Sequence, residues 1–193
     1  MRRVRGVLFV DYVRMVRGLK TADWSLYLKP EDLAFVSQRI DLKGWYPMET
    51  FERMGVGILK EVALGQLEAV RMWGRLQVGV VTKAYPTMVA ENDPRETMMR
   101  FRVLADSFFD YGALRVEHVE EDHATVVVKY GMSAIAEEAA SYQTLGFFEA
   151  LIERAGGSSA EGRFDGKSWA GDPRTLIVLH WHAEPPSVRE RIA

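Results

Sequence analysis

The stretch Ser107-Phe108-Phe109-Asp110-Tyr111-Gly112-Ala113-Leu114-Arg115-Val116-Glu117-His118 decides the fold, because the hydrophobic period changes inside it. Upstream of Gly112, apolar residues recur at the three-to-four-residue spacing of amphipathic helices. Downstream, Leu114, Val116 and His118 alternate with Arg115, Glu117 and Val119, the period of a half-buried strand.

Working forward, Glu121-Asp122-His123 reads as a polar turn and the β-branched run Thr125 to Tyr130 as the second arm of a hairpin. Ser133 to Ala155 is an alanine-rich helix anchored by Ile135, Tyr142, Leu145, Phe148 and Ile152, and Gly156-Gly157 stops it. A short strand is expected around Ser159 to Phe164. Leu176 to Trp181 is a buried strand ended by Pro185-Pro186.

Working backward, Asn92-Asp93-Pro94-Arg95-Glu96 carries a cap, a first-turn proline and a first-turn acid, so a helix runs from there to Phe108. Leu64 to Ala84 predicts a longer helix, with a break at Gly65 and Leu67, Val70, Trp73 and Val80 inward. Pro47 opens another helix with the stripe Met48, Phe51, Met54 and Ile58. Pro30-Glu31-Asp32 opens a short one ending near Gly44, and Val4 to Lys20 reads as the first. Gly55, Gly57, Gly74 and Gly79 fall inside these helices. Glycine costs about 1 kcal/mol there relative to alanine, so all four are expected at close approaches of neighbouring backbones.

The resulting expectation is an α+β fold: an N-terminal helical layer packed on a four-stranded antiparallel sheet of ββαββ order, the sheet drawn wholly from the second half. A length of 193 residues predicts a single domain, mainly helical over 1–112, ββαββ over 113–184, with a frayed tail at 185–193. A formal charge of −2 excludes general attraction to nucleic acid or anionic membranes. The chain has no cysteine, which excludes disulfides and thiolate chemistry and fits a cytoplasmic location. No apolar run reaches the length of a membrane span.

Few residues announce chemistry. The four histidines, His118, His123, His180 and His182, all lie in the second half, and His180 and His182 share one strand face. With His118 on a neighbouring strand, three imidazoles would converge as in a metal or haem site, although no acidic ligand is spaced to complete a shell. Glu117, Glu120, Glu121 and Asp122 read as a solvated hairpin tip, and Ser133 as a helix cap. Neither a nucleophile elbow nor a dinucleotide fingerprint is present. Aromatic and methionine residues concentrate in the helical half, a composition that suits a core, an apolar ligand or a partner helix.

Val4-Arg5-Gly6-Val7-Leu8-Phe9, Trp45-Tyr46-Pro47 with Phe51 and Gly55, Gly74-Arg75, Ser107 to Gly112 and the closing Trp181 resemble a myxobacterial paralogous family of about this length that has no settled biochemical function. The order helices–ββ–α–ββ, with Gly146 after Tyr142, also resembles a broader superfamily. It comprises haem nitric-oxide/oxygen sensor domains, 4-vinyl-reductase-type ligand domains and trafficking subunits of the TRAPP type. That resemblance implies a small apolar ligand between helices and sheet, and dimerisation through helices. The haem branch is marked by Tyr-x-Ser-x-Arg and an upstream histidine on a helix. Here Tyr130-Gly131-Met132-Ser133 has a different spacing and no arginine, and His118 and His123 fall in a hairpin. The TRAPP branch often uses a cysteine, absent here.

The leading expectation is therefore a non-enzymatic ligand-sensing or protein-interaction module, a homodimer, with a site built from Trp45, Tyr46, Phe51, Trp73, Phe108, Tyr111, Tyr142 and Trp181. The cofactor is left unassigned. Two alternatives stand beside it: a metal- or haem-dependent protein using His118, His180 and His182, and a purely structural dimeric scaffold.

Overall fold

In the computed structural model, which describes residues 1–183, the first half is helical but holds a small sheet of its own. Strand β1 (Arg3–Arg5) pairs antiparallel with β2 (Trp45–Pro47), and between them lie α1 (Gly6–Gly18) and α2 (Pro30–Ser37). This corrects two expectations: Val4 belongs to a strand, and not every strand comes from the second half. The cause lies in Trp45-Tyr46-Pro47. Trp45 offers its ring face to the Arg5 guanidinium, 3.7 Å from the ring centroid, and Tyr46 stacks on Phe9 at 4.6 Å. The paired strand therefore takes Val4 before the helix can. Helix α2 also stops at Ser37, well short of Gly44. Arg17 donates to the carbonyls of Val36 and Gln38 there, satisfying acceptors that a helix end leaves open.

Helices α3 (Met48–Glu61) and α4 (Leu67–Ala84) are separated by Leu64 and Gly65, both at positive φ, as the glycine at 65 predicts. Asp93 caps α5 (Pro94–Leu104) by accepting from the Glu96 amide at 2.8 Å. The hairpin follows as β3 (Leu114–Val119) and β4 (His123–Val128). A register shift between Val116 and His118 keeps Leu114 and Val116 inward and turns His118 outward. After α6 (Ala134–Arg154) come β5 (Gly157–Gly166) and β6 (Thr175–Ala183), giving an antiparallel sheet of order β3-β4-β6-β5. The apolar run at Leu176–Trp181 sits in a central strand, as its continuous hydrophobicity requires. Pro185-Pro186 and the tail lie outside the described residues.

Helix α6 is the axis of the molecule. One side packs on β5 and β6, the other on α4 and α3. The α4 and α6 backbones touch. A Cβ on Gly74 would collide with the Gln143 carbonyl, and one on Gly146 with the Arg71 carbonyl. Both glycines are therefore required by a close helix crossing. Gly79 is different: a Cβ there would meet nothing within 4 Å, so the expectation of close packing fails at that position. Glu149 of α6, almost wholly buried, accepts from Arg71 and Arg75 of α4 and from the Gly162 amide of β5, tying the three elements together. Ser133 is the N-cap of α6 by position, but its hydroxyl makes no capping bond. Glu137 instead turns back and accepts from the amides of Tyr130 and Met132, each at 3.0 Å.

Candidate functional site

The close α4–α6 crossing brings two inward carboxamides together. Gln143 on α6 donates through Nε2 to Gln77 Oε1 on α4 at 2.9 Å, and its own Oε1 accepts from the Tyr12 hydroxyl of α1 at 2.6 Å. Beside this chain lies a cavity of about 50 Å³ between the helices and β3. Its wall is mostly aromatic, with Phe51, Phe101, Phe108, Phe109 and Phe147 contributing rings. The polar groups on it are Tyr12, Gln77, Tyr130, Gln143 and Thr144. Tyr130 Oη and Thr144 Oγ1 lie 2.6 Å apart, and Thr144 donates to the Ala140 carbonyl at 2.8 Å, so Tyr130 is the donor of the first pair. Burial pushes the phenols of Tyr12 and Tyr130 well above their ordinary range, so both are neutral donors.

Of the eight residues that sequence reasoning nominated, the fold brings Phe51 and Phe108 onto this wall. Trp73 stacks near Tyr12, at 4.8 Å, and lines an adjoining void of only about 10 Å³ with Phe51. Trp45 and Tyr46 stand in the small sheet, where Tyr46 Oη accepts from the Asp41 amide. Tyr111 donates to the Tyr130 carbonyl at 3.1 Å, off the wall. Tyr142 packs with Phe164 and Trp169 near β5. Trp181 is buried in the core, its Nε1 without a partner among the described residues. Sequence reasoning missed Tyr12, Gln77 and Gln143, whereas Tyr130 belongs to the stretch Tyr130-Gly131-Met132-Ser133 that it had singled out. The available signal was periodicity: Gln77 falls on the inward stripe with Val70, Gly74 and Val81, and a polar residue there needs a reason.

The histidines gather elsewhere. His123 and His180 pair across β4 and β6 with ring centroids 5.7 Å apart, on the outer face of the sheet. Asp122 bonds His123, and Arg163 lies 3.3 Å from His180 Nε2. Among the described residues, no three His, Cys, Asp or Glu side chains group closely enough to hold a metal ion.

The fold is that of H-NOX domains. An H-NOX protein from K. algicida, solved in its Fe(II) unliganded form, superposes with a TM-score of 0.66 at 14% identity, covering 93% of this chain and 97% of that one. An S. oneidensis H-NOX protein in the Fe(II)NO state gives 0.62 at 8% identity, covering 92% and 99%. An oxygen-binding H-NOX domain related to soluble guanylate cyclases gives 0.57 at 15%, covering 92% and 94%. No protein-family model and no curated sequence matches the chain.

The residues here do not fit the haem that the H-NOX likeness implies. The cavity, about 50 Å³ and lined by five phenylalanine rings, is far smaller than a four-ring macrocycle. Its wall offers no histidine or cysteine. The amides of Tyr130 and Met132, at the place of the divergent Tyr-x-Ser-x-Arg motif, are already taken by the chain's own Glu137. No helix among the described residues is long and apolar enough to cross a membrane.

Proposed function

We propose that this chain is a haem-independent, non-enzymatic ligand-binding module whose guest is a small neutral molecule in the cavity beside Tyr12, Gln77 and Gln143. The observation that carries the reading is the wall itself: aromatic, with a few convergent polar groups and no charged or titrating side chain at work. The H-NOX fold supports a sensing role, since proteins of that fold are described in ligation states. Mass spectrometry under native and denaturing conditions tests it. The expected result is a small excess mass that is lost on denaturation, and no haem absorbance after supplying haem. Stoichiometric haem uptake would refute it.

A second reading concerns assembly. Glu68, Met72, Leu76, Gly79 and Lys83 lie on one outward stripe of α4, with Leu76 73% and Met72 54% exposed. Two copies crossing antiparallel through this helix would set Glu68 against Lys83 and seat Met72 over the open face of Gly79 at both ends. That pattern is self-complementary, as a two-fold contact requires. The homodimer reading rests on this stripe. Leu76→Glu is expected to give a monomer by light scattering where the parent is a dimer, and an unchanged oligomeric state would overturn it.

A further inference from the structure

The polar groups on the cavity wall are already spent on one another. Tyr130 donates to Thr144, Thr144 to the Ala140 carbonyl, Tyr12 to Gln143, and Gln143 to Gln77. Of the side-chain nitrogen and oxygen atoms in this set, only Gln77 Nε2 lacks a partner among the described residues. That atom has under 1 Å² of accessible surface, so a molecule in the cavity cannot reach it.

The rest of the wall is carbon. Besides the five phenylalanine rings, Leu8, Val81, Leu114 and Ala140 bring aliphatic groups to it. Water is a poor occupant of such a space, because it needs about two to four polar partners. Left unfilled, the space leaves its lining atoms without neighbours on one side, and a guest of matching size restores those contacts.

Size and polarity then narrow the guest. A cavity of about 150 Å³ lined by apolar groups accepts benzene, with its six carbon atoms. In proportion, one of about 50 Å³ admits about two or three non-hydrogen atoms. A charged guest would give up its hydration with no opposite charge on the wall to replace it. A hydroxyl or carbonyl guest would give up its bonds to water and would have to share a group already bonded within the protein.

We infer that the cavity's ligand is an apolar molecule of about two or three non-hydrogen atoms, a light hydrocarbon, held by ring and methyl contacts and by no hydrogen bond. This rests on the ligand-binding reading above and narrows it to a chemical class.

Ethane and methanol have the same two-atom skeleton and differ in methyl against hydroxyl, so they are the probes. Each is titrated into the full chain and followed by the methyl NMR shifts of Val81, Leu114 and Ala140. Ethane is expected to bind at least tenfold more tightly. Methanol binding as tightly as ethane, or more so, overturns the apolar inference and leaves the ligand-binding reading standing. Binding of neither overturns both. Ala140→Leu adds three carbon atoms to the wall and is expected to abolish ethane binding. Should that variant fail to fold, Leu114→Phe fills the space from the sheet side instead. Ethane affinity unchanged in a folded variant of either kind would place the hydrocarbon elsewhere and overturn the inference.

Discussion

The two faces of the sheet carry opposite kinds of chemistry. The outer face holds His118, His123, His180 and His182 beside Asp122, Glu161 and Arg163, nearly everything a sequence reader would underline, and it is open to solvent. The inner face opens on a cavity bordered by carboxamides, hydroxyls and phenyl rings, none of which titrates near neutral pH. Reactive residue types and enclosed space have been separated. That separation can be broken experimentally from either side.

The largest expected effect is on the inner side. Gly74→Ala or Gly146→Ala puts a methyl into the opposing helix backbone, which cannot yield as a side chain would. Each should cost about 3 kcal/mol or more, at the upper end for overpacking, seen as a lowered denaturant midpoint. A neutral result would mean that α4 and α6 are not in backbone contact. Next, Glu149→Leu leaves Arg71, Arg75 and the Gly162 amide without their shared acceptor. A loss of about 2–3 kcal/mol is expected in urea unfolding. Gln77→Met should cost about 1 kcal/mol, because it deletes one unmet donor but leaves Gln143 Nε2 without its acceptor; a stabilised variant would show that the Gln77–Gln143 bond contributes nothing. Smallest of all, His180→Ala on the outer face should change stability by less than about 0.5 kcal/mol and leave metal content unaltered; loss of a stoichiometric metal would reverse the contrast between the faces.

A pH series sharpens the same comparison away from both faces. Asp32 is desolvated, which alone raises its carboxyl, but bonds from Arg53, Thr50 and the Lys29 amide outweigh burial and hold it below the usual range. Its folded value lies under its unfolded one. The contribution to stability is therefore full above about pH 4 and is lost as pH falls through the lower folded value. Thr50→Val should reduce that acid-limb loss, measured by thermal unfolding between neutral pH and pH 3.

Much of the architecture could be read from the sequence because it is written in local chemistry. The Asp93 cap, the turn at Gly65, the alternation at Leu114–Val116 and the apolar run in β6 each specify an element without help from afar. What escaped was written between elements. Strand β1 exists because Trp45 and Tyr46, about forty positions away, supply its partner, and a bulge after Val116 inverts the expected side for His118. The cavity escaped for a related reason. Aromatic residues were nominated by type, yet only Phe51 and Phe108 reach the wall, while Tyr12, Gln77 and Gln143 meet through a crossing that Gly74 and Gly146 permit. A glutamine on an inward helical stripe was the visible clue, and its meaning depended on a second glutamine from another helix.

Glu149 gives the molecule a mechanical linkage. Its carboxylate grips α4 through two arginines and β5 through the Gly162 amide. Gly162 is flanked by Glu161 and Arg163, which stand against His180 on the far face. Gln143 on the cavity wall and Glu149 stand on the same helix, so one rigid element joins that wall to the strand whose outer residues face His180.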